Sequence, residues 1–321
     1  MTALVLAALA GHFGRDIEAN MTRIEAVLAD AGTAGAALVV LPDAALGGYL
    51  PRFDTPPGGG GPDGGGRDGG GPGGGGSDGG GRGAAGDVPV GRIVPRPPED
   101  LPPALDPDGP EIARLIRMAG SMTVCVGYCE RADGRRYNSA VCVTGDGVLG
   151  RHRKVHQPAG ERSAYAAGDR FEAFDTPVGR LGMLIDYDKT FPEAARRLAG
   201  DGAVVLACLS AWPASLTNRS PRLATDRQTR LFDLYDCARA AENQVVVVSA
   251  NQTGRFGHLT FIGRAKVVGP GGEIVARSSA KAALVTTRLD VAAEVARARA
   301  VLDHLAERRP DAYDPAPRTG D

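Results

Sequence analysis

Residues 180–193 read RLGMLIDYDKTFPE. The apolar run before Asp186 reads as a strand, and Pro192 suits the first turn of a helix, where its missing N–H leaves no bond unmade. Between the two, Tyr187 and Asp188 must turn the chain. Strand, sharp turn and helix in that order is a place where α/β enzymes put a nucleophile. The side chain stands at the end of the sheet, and the next backbone N–H, here that of Tyr187, can face a developing oxyanion. The residue at the tip is an aspartate, so the chemistry of this chain has to be argued through Asp186.

Outward from this stretch, strands and helices keep alternating. Residues 204–209 and 245–250 are continuous apolar runs of the kind found in strands buried on both faces, and residues 225–243 between them can form one long helix. Residues 267–268, a GPGGE turn and residues 283–289 supply the last strands, with a terminal helix expected over 291–305. On the N-terminal side, MTALVLAALA has no basic leader and is followed too soon by polar sequence to be a signal peptide or a membrane span, so it is read as the first strand. Ile17, Met21, Ile24, Val27 and Leu28 then share a helical face, with Asp16 and Glu18 near the helix start, where the dipole favours acids. Residues 37–41 are apolar and end at Pro42 and Asp43. Pro110 opens a helix striped with Ile112, Leu115, Ile116 and Ala119. Residues 123–128 and 139–143 read as neighbouring antiparallel strands around the turn Ala132-Asp133-Gly134. Residues 149–157 hold the basic cluster RHRKVHQ, which reads as a solvated loop; spacing does not single out Lys154 from its neighbours. The sum is an α/β core whose strands are covered by helices.

Residues 56–103 break the pattern. Clusters such as PDGGGRDGGGPGGGGSDGGG carry almost no apolar side chains, so nothing offsets the entropy of ordering them. They are read as a disordered insert and a neutral spacer, rather than a lid over Asp43, since Gly-rich chain has little grip on a ligand. Across all 321 residues the formal net charge is -1 and 43% of residues are hydrophobic. That composition supports a large core and a soluble globular protein, and it supplies no overall field to draw in nucleic acid or an anionic membrane. Five cysteines, Cys125, Cys129, Cys142, Cys208 and Cys237, are an odd number in mostly apolar surroundings. They suit buried reduced thiols better than a disulfide framework, so a cytoplasmic protein is expected.

Several segments, taken in order, resemble the nitrilase superfamily, the amidase-type carbon–nitrogen hydrolases. LVVLPDAALGGY (38–49) is similar to its first motif, YNSAVCVTGDGVLGRHRKVH (137–156) to its second, and LGMLIDYDKTFPEAARRLAGDGAVVLACLSAWP (181–213) to its third. CARAAENQVVVVSANQTG (237–254) and GRAKVVGPGGEIVA (263–276) match segments further downstream. The resemblance implies a single-domain αββα sandwich over residues 1–55 and 104–308, interrupted by the insert and followed by a tail over 309–321. It also implies pairing through helices into a homodimer, a small-molecule substrate or ligand, and no cofactor. The family's chemistry uses a glutamate, a lysine and a cysteine, assisted by a second glutamate: the thiol attacks a nitrile or amide carbon while lysine and a backbone N–H hold the oxyanion. Carried across, the lysine falls on Lys154, the second glutamate on Glu161 and the oxyanion N–H on Tyr187.

Two members depart from the pattern: Asp43 stands for the family glutamate and Asp186 for the family cysteine. Shortening Glu to Asp withdraws the carboxyl by one C–C bond, about 1.5 Å. Replacing the thiol removes the nucleophile, and a carboxylate attacking an unactivated amide would have to form a high-energy anhydride. The other cysteines are read as core. The expectation is a non-hydrolytic protein that binds a small nitrogen-containing ligand or a partner subunit. The alternative is an enzyme of altered chemistry, in which crowding of Asp43, Asp186 and Glu161 around Lys154 raises one carboxyl pKa and makes an acid/base pair. A Mg²⁺ or Ca²⁺ site is disfavoured, because the Lys154 ammonium would compete for the same oxygens.

Overall fold

In the computed structural model, residues 3–53, 96–158 and 160–313 are described. The chain runs β1 (Leu4–Gly11), α1 (Ile17–Thr33), β2 (Ala36–Val40), α2 (Pro110–Ala119), β3 (Thr123–Ala132), β4 (Arg135–Thr144), β5 (Gly147–Arg153), β6 (Leu181–Ile185), α3 (Pro192–Gly200) and β7 (Val205–Ser210). It continues as α4 (Arg227–Asn243), β8 (Val246–Phe256), β9 (Leu259–Ile262), β10 (Lys266–Val268), β11 (Ile274–Arg277), β12 (Ala283–Leu289), α5 (Val291–Arg299) and the short α6 (Pro310–Tyr313).

Strand periodicity builds the layers, because successive side chains point to opposite faces. In β1, Val5, Ala7 and Leu9 pack on Met21, Ile24 and Leu28 of α1 and on Ile112 and Leu115 of α2. Leu6, Ala8 and Ala10 face the other way, onto Met183 and Ile185 of β6, Ala207 and Leu209 of β7 and Val246 and Val248 of β8. The far face of that second sheet sets Leu184, Leu206, Cys208 and Val247 against Ala194, Ala195 and Leu198 of α3 and Ala240 of α4. The result is the αββα sandwich. One sheet runs β12-β1-β2-β3-β4-β5 and the other β6-β7-β8-β10-β11. They join where the end of β1 pairs with β8, at Ala10–Asn251 and Gly11–Gln252. β3 and β4 pair antiparallel around Asp133 and Gly134, both in the left-handed region, as an Asp-Gly hairpin turn requires.

Three expectations shift. Most of the expected insert lies outside the described residues, but its last part, residues 96–103, packs: Arg15 Nη2 donates to Asp100 O at 2.7 Å, and Arg96 Nη2 to Gly160 O at 2.6 Å. Two charge-assisted bonds supply what the segment lacks in apolar side chains. The basic cluster is not a loop up to Arg153, because β5 pairs antiparallel with β4. The last long helix stops at Arg299 rather than at 305: Asp303 turns its carboxylate onto the N–H groups of Leu305 and Ala306 at 3.1 and 3.0 Å, and this local bonding competes with the helix.

Candidate active site

Three strand ends converge at one end of the sandwich. β2 runs out into Pro42 and Asp43, β5 into Lys154, and β6 into Asp186. Asp186 begins a single 3-10 turn, Asp186–Thr190, with its backbone at φ 48°, in the left-handed region that an L-residue with a Cβ seldom adopts. Such a conformation costs on the order of 1–3 kcal/mol and persists only where its surroundings hold it.

Those surroundings are specific. Asp188, two residues on, is fully buried. Its carboxylate accepts from Ile185 N (3.2 Å), Val155 N (3.2 Å), His156 N (2.8 Å) and His156 Nδ1 (3.0 Å), and bonds His152 Nε2 at 3.0 Å. Burial would raise its pKa, but the bonds from His152 and His156 win and hold it well below the usual carboxylate range. Asp188 thus ties the turn to the segment that carries Lys154. Lys189 and Arg239 grip the turn from behind. Lys189 Nζ reaches Asp236 Oδ1 at 2.8 Å, Lys266 Nζ takes the other oxygen at 2.6 Å, and the Phe232 ring lies 3.3 and 3.7 Å from the two ammonium nitrogens. Arg239 Nε and Nη2 donate to the carbonyls of Lys189 (2.8 Å) and Thr190 (2.9 Å).

The strand's period of two selects Lys154. Arg151 and Arg153 turn outward to Asp108 and Glu130, whereas His152 and Lys154 turn inward. Lys154 Nζ donates to Glu161 Oε1 at 2.6 Å and to Asp186 Oδ2 at 3.3 Å. Tyr49 donates its hydroxyl to the same Glu161 oxygen. Asp43 accepts from Asn138 Nδ2 at 3.1 Å, and Gln252 Nε2 fixes its backbone carbonyl at 2.9 Å. β3 crosses beneath Asp43 at Gly127, where an added Cβ would stand 2.7 Å from Asp43 Cα, so only glycine allows this approach. The structure therefore brings Asp43, Lys154, Glu161 and Asp186 together, all buried. Tyr187 follows within the turn, half-buried, its ring edge-on to Phe191.

The electrostatics follow from three carboxyl groups around one ammonium. Burial pushes Asp43 up to about 8, and the attraction of Lys154 offsets this only in part against repulsion from Asp186 and Glu161. Glu161 is raised as well, again mainly by burial. Lys154 is desolvated, yet the three carboxylates outweigh that and hold its pKa above the usual lysine range. Near neutral pH, Asp43 is mostly protonated beside charged Lys154. Asp43 Oδ1, Glu161 Oε2 and Asp186 Oδ1 are buried with no hydrogen-bond donor. Among the described residues, no group of three or more His, Cys, Asp and Glu side chains is arranged to hold a metal ion.

Sequence reasoning overlooked Tyr49, Asn138 and the Lys189–Asp236–Lys266 cluster. Lys266 opening a short apolar strand, and Asp236 on the buried side of a helix, were the only signals available.

This architecture, with polar groups at the strand ends of a double-sheet sandwich, defines an α/β protein of the nitrilase fold. A carbon–nitrogen hydrolase family profile matches residues 6–299, and the chain belongs to that family. It is 29% identical over 213 residues to a probable nitrilase of Schizosaccharomyces pombe, covering 64% of this chain and 74% of that one. It is 30% identical over 221 residues to the N-carbamoylputrescine amidase of Arabidopsis thaliana, covering 64% and 72%. Among solved structures, a carbon–nitrogen hydrolase from Helicobacter pylori G27 superposes with a TM-score of 0.73 at 23% identity over 97% of both chains. An amidase from Nesterenkonia sp. superposes with a TM-score of 0.67 at 19% identity, over 97% of this chain and 95% of the other. Among the described residues, no helix is long and apolar enough to cross a membrane.

Proposed function

We propose that this chain is a carbon–nitrogen hydrolase homologue without a cysteine nucleophile, which binds a small nitrogen-containing ligand and does not hydrolyse it. One observation carries the reading: the tip of the strained turn at the end of β6 holds Asp186, paired to Lys154. A mutant of the Nesterenkonia sp. AN1 amidase shows covalent addition of the acetamide moiety of fluoroacetamide at the active-site cysteine. Here Cys125, Cys142 and Cys208 lie in the packed cores, and Cys129 and Cys237 belong to or pack against other apolar clusters. The Glu161 and Asp186 oxygens lacking donors favour a ligand rich in N–H groups, since each buried acceptor left unmade costs about 1–3 kcal/mol. In this reading Glu161 and Asp186 accept from the ligand, the protonated Asp43 donates to it through Oδ1, Lys154 balances the carboxylate charge, and the N–H of Tyr187 faces the ligand's carbonyl or nitrile end.

A second reading is favoured by the Asp43 carboxyl, raised to about 8 beside Asp186 and Lys154. It makes the site an acid/base pair acting on a C–N compound. One experiment separates the two. Wild type and Asp186→Asn are assayed against a panel of amides, nitriles and carbamoyl compounds, with binding followed by calorimetry. Binding without turnover is expected; wild-type turnover that disappears in Asp186→Asn overturns the non-hydrolytic reading.

A homodimer is part of the proposal. Leu216 and Leu234 are more than half exposed, the latter on α4, and offer apolar contact area to a second copy. Sedimentation at micromolar concentration should show a dimer. Five unpaired cysteines fit a reducing, cytoplasmic setting, and a net charge of -1 gives no pull toward nucleic acid or membrane.

A further inference from the structure

Cys125 and Cys142 stand directly opposite one another on the antiparallel pair β3–β4. The backbone decides what kind of pair they are. Cys125 O accepts from Leu41 N at 2.9 Å, so the hydrogen-bonding edge of Cys125 faces β2, not β4. On β4 the alternation is the same: Asn138 O accepts from Lys154 N, which turns the even-numbered residues, Cys142 among them, toward β5. Cys125 and Cys142 are therefore a non-hydrogen-bonded pair, the position at which cross-strand side chains come closest, with Cα atoms about 4.5 Å apart. That separation lies within the range a disulfide spans. Both side chains point into the core between the two sheets and are fully buried.

We propose that Cys125 and Cys142 form a buried dithiol site that a peroxide converts to an intrachain disulfide. One sulfur attacks the peroxide: an S–O bond forms, the O–O bond breaks and, with hydrogen peroxide, one water leaves with the sulfenic acid. The second thiol loses its proton and displaces the sulfenic oxygen: the S–S bond forms and a second water leaves. Two electrons pass from the thiol pair to the peroxide, and the sum is two thiols plus one peroxide giving one disulfide plus two waters.

The neighbouring Cys142 thiol and then burial hold the Cys125 thiol well above the usual range, so little thiolate is present at neutral pH. Oxidation waits on local opening of the hairpin. The site is thus silent toward brief exposure and responds to sustained oxidation. Once made, the bond is shielded from reductants by the same core. The hairpin it would fix also serves the candidate site, through Asn138 on Asp43 and Gly127 beneath it. The remaining three cysteines lack this geometry: Cys129 faces Asn138 across the same strands, Cys208 faces Leu184 and Ser249, and Cys237 lies on helix α4.

The test uses the full chain, incubated with hydrogen peroxide for hours, alkylated under denaturing conditions and digested without reduction. The expected result is loss of two of the five thiols and a linked tryptic pair, residues 118–131 with 137–151, whose fragmentation places the bond between Cys125 and Cys142 and the alkyl group on Cys129; the link persists in Cys129→Ala and is absent in Cys142→Ala. The thermal midpoint should rise on oxidation and return on reduction after unfolding. Five thiols remaining, a link through Cys129 instead, or sulfinic and sulfonic acids at Cys125 and Cys142 without a link would each overturn the assignment. Because the wild type itself carries the decisive measurement, a poorly folding variant leaves the test intact.

Discussion

Replacing Asp43 with asparagine should make the protein more stable, by an amount that grows with pH. In the folded chain the Asp43 carboxyl titrates at about 8 against an ordinary value of 3.8. Between those values the folded state holds a proton that the unfolded state has released, so stability falls as pH rises, by about 1.4 kcal/mol per pH unit. The accumulated penalty is about 2 kcal/mol at pH 5 and about 4 kcal/mol at pH 7. Asparagine is isosteric and uncharged. Its carbonyl oxygen can still accept from Asn138, and its amide can donate where the protonated carboxyl would. Urea unfolding of wild type and Asp43→Asn across this pH range, compared as a difference so that groups common to both cancel, should show the gap widening to about 4 kcal/mol at pH 7. That corresponds to a rise in midpoint of roughly 6 °C for a chain of this size. A gap that stays constant with pH would mean that Asp43 is ionised in the folded protein, and the charge assignment of the whole site would fail with it.

On the proposed reading, in which Asp186 and Asp43 stand for the family cysteine and glutamate, Asp186→Cys supplies a thiol but leaves the residue-43 carboxyl short, so weak amidase activity at most is expected, increased when Asp43→Glu is added; equal activity of the single and double variants would argue that the length of residue 43 does not matter. Asp188→Ala removes the acceptor of five hydrogen bonds and should cost several kcal/mol, at about 0.5–3 kcal/mol each. Because the folded pKa of Asp188 is depressed, its contribution is present above about pH 4 and lost as pH falls further, so the variant's acid unfolding limb should be flatter than the wild type's. Asp236→Asn leaves Lys189 and Lys266 buried without their shared carboxylate and should destabilise by about 3–5 kcal/mol, with a companion Lys266→Met recovering part of the loss. Failure of that rescue would show that the cluster is not balanced as its geometry indicates.

The order of strands and helices was legible in the amino-acid sequence, because period-2 and period-3.6 apolar patterns are local and each element carries its own. The run ending in Asp186 and the run ending at Asp43 read as strands without reference to the rest, and motif order alone led to the αββα sandwich. Lys154 and Glu161 were reachable only through family resemblance, since RHRKVHQ offers several cations with equal claim. The sandwich decides among them: pairing of β5 with β4 turns His152 and Lys154 inward and leaves Arg151 and Arg153 outside. Burial then gives Lys154 its partners, lifts Asp43 toward neutrality and leaves three carboxylate oxygens without donors. None of that is written in any single segment. Asp43, Lys154, Glu161 and Asp186 follow different strands and turns, and their charges acquire a common energy only when the two sheets close over them and exclude water.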